Sequence, residues 1–211
     1  MKIKIKKLIY ISCIHTLLIF NLKSDITFHN LTSTFQTRNT NSQIYFNYAS
    51  TTTLSSNFKN GFQIPAGKTI LLITTLPISG LLDLSGTLSL GSDLYCDTNL
   101  TYSGIGRIAG NGYALHLGGK LQIPKSHFFH IGSDTIIEGH GNSINLSDNA
   151  EILVDDNVTL TLKNVIIDSS KNGVGNPAIK LTSNRSKLAL DNAVLNMGND
   201  FYVDRGQLFI H

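Results

Sequence analysis

Residues 160–168 read LTLKNVIID, and residues 188–196 read LALDNAVLN, 28 positions further on. Both alternate leucine with another residue, reach an asparagine, and close on an apolar run ending in Asp or Asn. Alternation at period two is the pattern of a strand with one buried face. An asparagine between two such strands marks a tight corner, where backbone groups lack sheet partners. Its amide both donates and accepts, and it tolerates left-handed backbone. If the chain winds so that one copy lies over the other, Leu160 stacks on Leu188 and Leu162 on Leu190. Asn164 then hydrogen-bonds Asn192 along a ladder. The copy extends upstream, with Ala150 matching Ala178 and Leu153 matching Leu181.

The rest of the chain after residue 25 follows the same style. Short apolar runs such as TILLITT, GTLSL, YALHL, KLQI, DTIIEG, AEILV and QLFI are separated by Gly, Asn and Asp. No stretch shows a helical period. Two further echoes appear: IAGNG at 108–112 with IEGHG at 137–141, offset 29, and GTLSL at 86–90 with GKLQI at 119–123, offset 33. Recurrence at a period in this range marks a stacked repeat architecture. The expectation is an all-β, right-handed parallel β-helix with coils of 28–33 residues and three short strands per coil. Successive coils would stack at the ~4.8 Å strand spacing. A β-sandwich would produce similar alternation, but with antiparallel pairing and without Asn164 on Asn192.

LTLKNVIID and LALDNAVLN resemble the strand–Asn–strand corner of parallel β-helices in the pectin-lyase-like superfamily. The two I-x-G-x-G stretches resemble a turn that recurs in such proteins. The likeness covers residues 78–211 and carries fold more than function. Residues 25–77, rich in Thr, Ser and Asn with Phe and Tyr, are expected to form an N-terminal cap and the first coils. RGQLFIH at the far end stops inside an apparent strand, so the solenoid is expected to be incomplete at its C-terminus.

Residues 1–24 have the layout of a signal peptide: a lysine-rich start, about 15 mostly apolar residues, and a polar exit near Ser24. The run is short for a membrane span, so contact with a membrane is expected only if this segment is left uncleaved. The protein is therefore expected to be secreted or to sit at the cell envelope or outer surface. The chain of 211 residues is 41% hydrophobic, enough for a core, and only 15% charged. Its formal charge is +3; without the five lysines of residues 1–24 it becomes −2. No basic face for nucleic acid is expected. With Cys13 in the signal segment, Cys96 stands alone and reads as a small buried hydrophobe.

Catalytic signals are sparse. Gly139-His140-Gly141 and Asp155-Asp156 resemble pieces of the polygalacturonase-like glycoside hydrolases, which share this fold and use carboxylates as general acid and water activator. Their order along the chain is reversed here, and no N-T-D or R-I-K element is present. A calcium-dependent polysaccharide lyase needs a carboxylate cluster with an Arg or Lys base. Asp155, Asp156 and Asp168 are able to cluster across adjacent coils, and the repeat places Arg185 one coil above the Asp155–Asp156 turn. A salt-bridged turn explains the same residues. His127, His130 and His140 suggest zinc, but His127 and His130 at i, i+3 in a strand point to opposite faces. No metal or cofactor is expected, calcium entering only with the lyase alternative. The reading is an exported, adhesin-like structural or binding module for glycan or surface protein. The alternative is a pectin-lyase-like lyase or hydrolase acting through the four residues above.

Overall fold

The computed structural model describes residues 26–28, 35–37, 44–46, 52–56, 61–72, 77–169, 177–198, 201 and 203–211; the expected signal segment, residues 1–24, lies outside them. Among the described residues there are 22 strands and no helix. Every pairing is parallel, and each strand pairs with strands one coil away, which makes the protein a parallel β-solenoid. The strands before residue 78 run in the same two sheets as those that follow.

The quoted stretches stack in the expected register. Leu160 pairs with Leu188 and Leu162 with Leu190, and Ile167 pairs with Leu195 around the corner. One core ladder climbs through Leu94, Leu115, Ile137, Leu162 and Leu190, all of them buried. A second runs through Ile70, Leu88, Ile108, Ile131, Val154 and Leu181, and a third through Leu100, Leu121, Ile144 and Ile167. The three ladders line the three walls of one core.

The coil length differs from the expected 28–33 residues. Along the first ladder the steps are 21, 22, 25 and 28 residues, and earlier coils step by only 18, as from Ile26 to Ile44 or Ile70 to Leu88. The echoes at 29 and 33 are not stacked pairs. Ile108 lies on Ile131 whereas Ile137 lies on Leu115, and Leu88 lies on Ile108 whereas Leu121 lies on Leu100. Leu153 faces Lys180, and it is Val154 that stacks on Leu181. That wall steps by 27, and a one-residue slip moves every side chain to the other face.

The third wall begins at one place. Strands Ile78–Leu84 and Leu94–Ser103 pair Ile78 with Cys96 but Gly80 with Leu100, so two positions oppose four. Asp97, Thr98 and Asn99 are pushed out into solvent. Before this bulge the described residues form two strands per coil; after it Leu121–Ile123, Ser143–Leu146, Ile166–Ser169 and Val194–Met197 form a third wall. The next coil turns over the bulge at Gly118, whose amide donates to the Cys96 carbonyl at 2.6 Å. A Cβ there would lie 2.3 Å from that oxygen, so glycine is required. Asn99 Oδ1 accepts from the Lys120 amide at 2.9 Å. Tyr102 fills the widened section, its ring edge-on to Phe129 at 5.0 Å and its hydroxyl donating to the Gly106 carbonyl at 2.8 Å. Cys96 is buried beside the bulge, and burial followed by the Asp97 charge pushes its thiol up to about 12.

Leu162 lies in the first ladder, between Ile137 and Leu190, and is fully buried. Leu162→Ala is expected to lower stability by about 3 kcal/mol, read as a shift in the urea midpoint.

Candidate functional surface

Many of the polar groups sit at the corners. Among the described residues, seven that are not glycine have positive φ: Asn111, Ser126, His140, Asn149, Asn157, Asn164 and Asn192. Five of the seven are asparagine, the residue whose short amide best tolerates that conformation. Asn192 Nδ2 donates to Asn164 Oδ1 at 2.7 Å, and Asn164 Nδ2 donates to Glu138 Oε1 at 2.8 Å. The expected asparagine ladder exists and is anchored on a carboxylate one coil below. Glu138 is only 7% exposed. Burial raises its carboxyl, but the Asn164 hydrogen bond and the Lys163 ammonium, 3.4 Å away, outweigh this and hold it below the ordinary Glu value of 4.5.

Asp155, Asp156 and Arg185 come together at the corner between the second wall and the first. Arg185 clamps Asp156 with both Nε, 3.0 Å from Oδ1, and Nη2 on Oδ2. Ser183 donates to the same Asp156 Oδ1. The Arg185 hydrogen bond, then that of Ser183, holds the Asp156 carboxyl below the usual range. Asp155 turns away from this pair, accepting from His130 Nε2 at 2.5 Å and facing Arg107 Nη1 at 3.4 Å. Asp168 stands apart on the third wall, where Asn196 Nδ2 donates to it at 3.3 Å. The structure thus gathers three of the four candidates and adds His130 and Arg107. Arg107 pairs with His130 and His130 with Leu153, at intervals of 23 that no fixed period reveals.

Along the same corner runs a shallow open groove of about 440 Å³ lined by Asn111, Gly112, Ser133, Asp134, Asn157 and Val158. Its polar groups are tied to neighbouring coils. Asn111 Nδ2 donates to Ser89 Oγ and the Leu90 carbonyl, both at 2.9 Å, and Asp134 Oδ1 accepts from the Thr159 amide at 2.7 Å.

On the first wall a row of outward side chains passes through Tyr95, His116, Glu138, Lys163 and Asp191, one per coil. Tyr95 and His116 stack with centroids 4.5 Å apart and planes 6° apart. His140 does occupy a left-handed turn like that of Asn111. The two turns lie at different corners, however, and His140 reaches the outward row rather than stacking on Asn111. Among the described residues no group of three or more His, Cys, Asp or Glu side chains is arranged to hold a metal ion, and no helix is long and apolar enough to cross a membrane. The chain matches no protein-family model, no curated protein and no solved structure.

Two measurements test these assignments. Asn164→Ala loses both amide bonds and strains the left-handed corner, whereas Asn164→Gly loses the bonds alone. The alanine variant is expected to be the less stable of the two by about 1 kcal/mol in chemical denaturation. Glu138 and Glu151 should respond to pH with opposite signs. The lowered carboxyl of Glu138 contributes stability above pH 4.5, which is lost as pH falls through its folded value. Burial, partly offset by Lys180, raises the Glu151 carboxyl, so its ionised form costs stability above that range. Glu151→Gln is expected to raise the thermal midpoint at pH 7 and to leave it unchanged well below pH 4.5. Glu138→Gln is expected to lower it at pH 7 and to flatten the acid limb.

Proposed function

We propose that the protein is an exported β-solenoid binding module, adhesin-like, which holds an extended ligand such as a glycan or a surface protein against its outer corners. Export rests on the signal-peptide layout of residues 1–24. The pectin-lyase-like assignment rests on the Asn164–Asn192 corner and remains part of this proposal.

The observation that carries the reading is how the acidic residues are engaged. Asp155 is held by His130 and Arg107, and Asp156 by Arg185 and Ser183. A general acid needs a carboxyl kept protonated near neutrality, and burial in an apolar pocket is the usual means. Asp156 is shifted the other way, towards the charged form. The fourth candidate, Asp168, lies on another wall. What remains is a corner of preset amides, hydroxyls and paired charges beside a shallow groove. Fixed polar groups lose little freedom when a ligand docks, which favours binding along an extended surface.

The test is a screen of the purified chain against acidic and neutral polysaccharides, with and without calcium, reading both retention and chain length. Retention without shortening, weakened by Arg185→Ala or Asn157→Gly, is the expected outcome. Depolymerisation that disappears in Asp155→Ala or Asp156→Ala would overturn the reading in favour of a lyase or hydrolase.

A further inference from the structure

The shallow groove at the corner between the second wall and the first crosses three successive coils. Asn111 and Gly112 line its first level, Gly132 and Asp134 its second, and Asn157 and Val158 its third. It therefore runs along the solenoid axis, one level per coil, at the ~4.8 Å strand spacing. Its volume of about 440 Å³ falls in the range of pockets that hold a ligand. Hydrogen bonds between coils fix the levels: the Gly112 amide donates to the Asp134 carbonyl at 2.8 Å, and the Thr159 amide to Asp134 Oδ1 at 2.7 Å.

Hydrogen-bond accounting separates the groups used by the fold from those left for a ligand. Asn111 Nδ2 donates to Ser89 and Leu90, and its Oδ1 accepts from Ser133 at 3.2 Å. The Asn157 side-chain amide and Asp134 Oδ2, by contrast, have no hydrogen-bond partner among the described residues, and both residues are exposed. The amide donates and accepts; the carboxylate only accepts. Two neighbouring hydroxyls of a sugar ring are the complement: one gives its hydrogen to the carboxylate, the other takes one from the amide. Val158 supplies an apolar floor for the C–H face of a ring. Gly112 keeps the lower level open, with nothing within 4 Å of where a Cβ would stand.

Charge decides between neutral and acidic sugars. At this corner Arg185 and Arg107 are engaged by Asp156 and Asp155. Asp134 is the one charged residue lining the groove. Lys187 lies past the third level, on the coil above Thr159. A uronate or sulfate therefore meets a carboxylate inside the groove and an ammonium only beyond its end. An uncharged ring meets no repulsion and can donate to that carboxylate. The rise per coil is also close to the advance of one ring along an extended chain of equatorially linked hexoses, so each coil can hold one ring.

Resting on the binding-module reading above, we infer that the ligand of this corner is an uncharged, extended polysaccharide. It lies along the solenoid axis, one ring per coil over three coils, and Asp134 and Asn157 are its specificity-determining contacts.

The test titrates the purified chain by calorimetry with cello- and manno-oligosaccharides of two to six rings, and with oligogalacturonides of the same lengths. Affinity for a neutral series is expected to rise with each ring up to three and then to level off. Oligogalacturonides are expected to bind about tenfold more weakly. Asn157→Gly keeps the left-handed corner, φ 58°, and removes the amide; it is expected to weaken neutral binding about fivefold. Asp134→Asn can still accept from the Thr159 amide but loses the charge. It is expected to weaken neutral binding about tenfold and to narrow the gap to the oligogalacturonides. Asn149→Gly, at a left-handed position on another corner, should change neither. Thermal midpoints near that of the wild type identify variants that remain folded. Tighter binding of oligogalacturonides, affinity independent of length, indifference to both groove substitutions, or no uptake of any oligosaccharide would each overturn the inference. The module reading survives any of these if polysaccharide is still retained without shortening. Shortening of the oligosaccharides would overturn that reading instead.

Discussion

Parallel stacking in register is the constraint from which the rest follows. A strand shows its core to one side only, and a shift of one residue exchanges inside for outside. Leu94, Leu115, Ile137, Leu162 and Leu190 must therefore lie over one another whatever the chain does between them. The walls are fixed, and most changes in coil length are absorbed between them. Corners are where asparagines and glycines are needed, and where charged side chains from different coils can meet.

The polar clusters are consequences of that division. Asp156 and Arg185 belong to turns of adjacent coils, which the alignment of the walls brings within bonding distance. The same logic joins Asn192, Asn164 and Glu138 into one chain of bonds, and brings His116 and His140 together from coils whose sequences share no motif. Each cluster draws its geometry from the core ladders beneath it.

The sequence made the later coils legible because there two successive coils share the same corner. LTLKNVIID and LALDNAVLN differ by one full turn with no change in length, so their residues align by eye. Asn164 over Asn192 and Arg185 beside Asp156 were readable for this reason. Earlier coils grow by one to three residues at a time, so a fixed offset compares strands on different walls; the false echoes of Ile108 with Ile137 and of Leu88 with Leu121 arose in this way. Arg107, His130, His116 and Glu138 were invisible as partners because their intervals of 22 to 25 residues match no repeat. A carboxylate cluster of Asp155, Asp156 and Asp168 across adjacent coils does not form, because an intervening corner sends Asp168 to a different wall.

The bulge at Asp97–Asn99 has a mechanical consequence. A tension applied along the solenoid axis is borne by the hydrogen-bond ladders between coils, acting side by side. Two ladders share it before the bulge and three after it. The force per ladder therefore steps down as the third wall begins, and the narrower coils before residue 97 are the ones that part first. A protein fixed at one end and pulled at the other would lengthen from its slender segment while the wide coils, with their corner clusters, kept their shape.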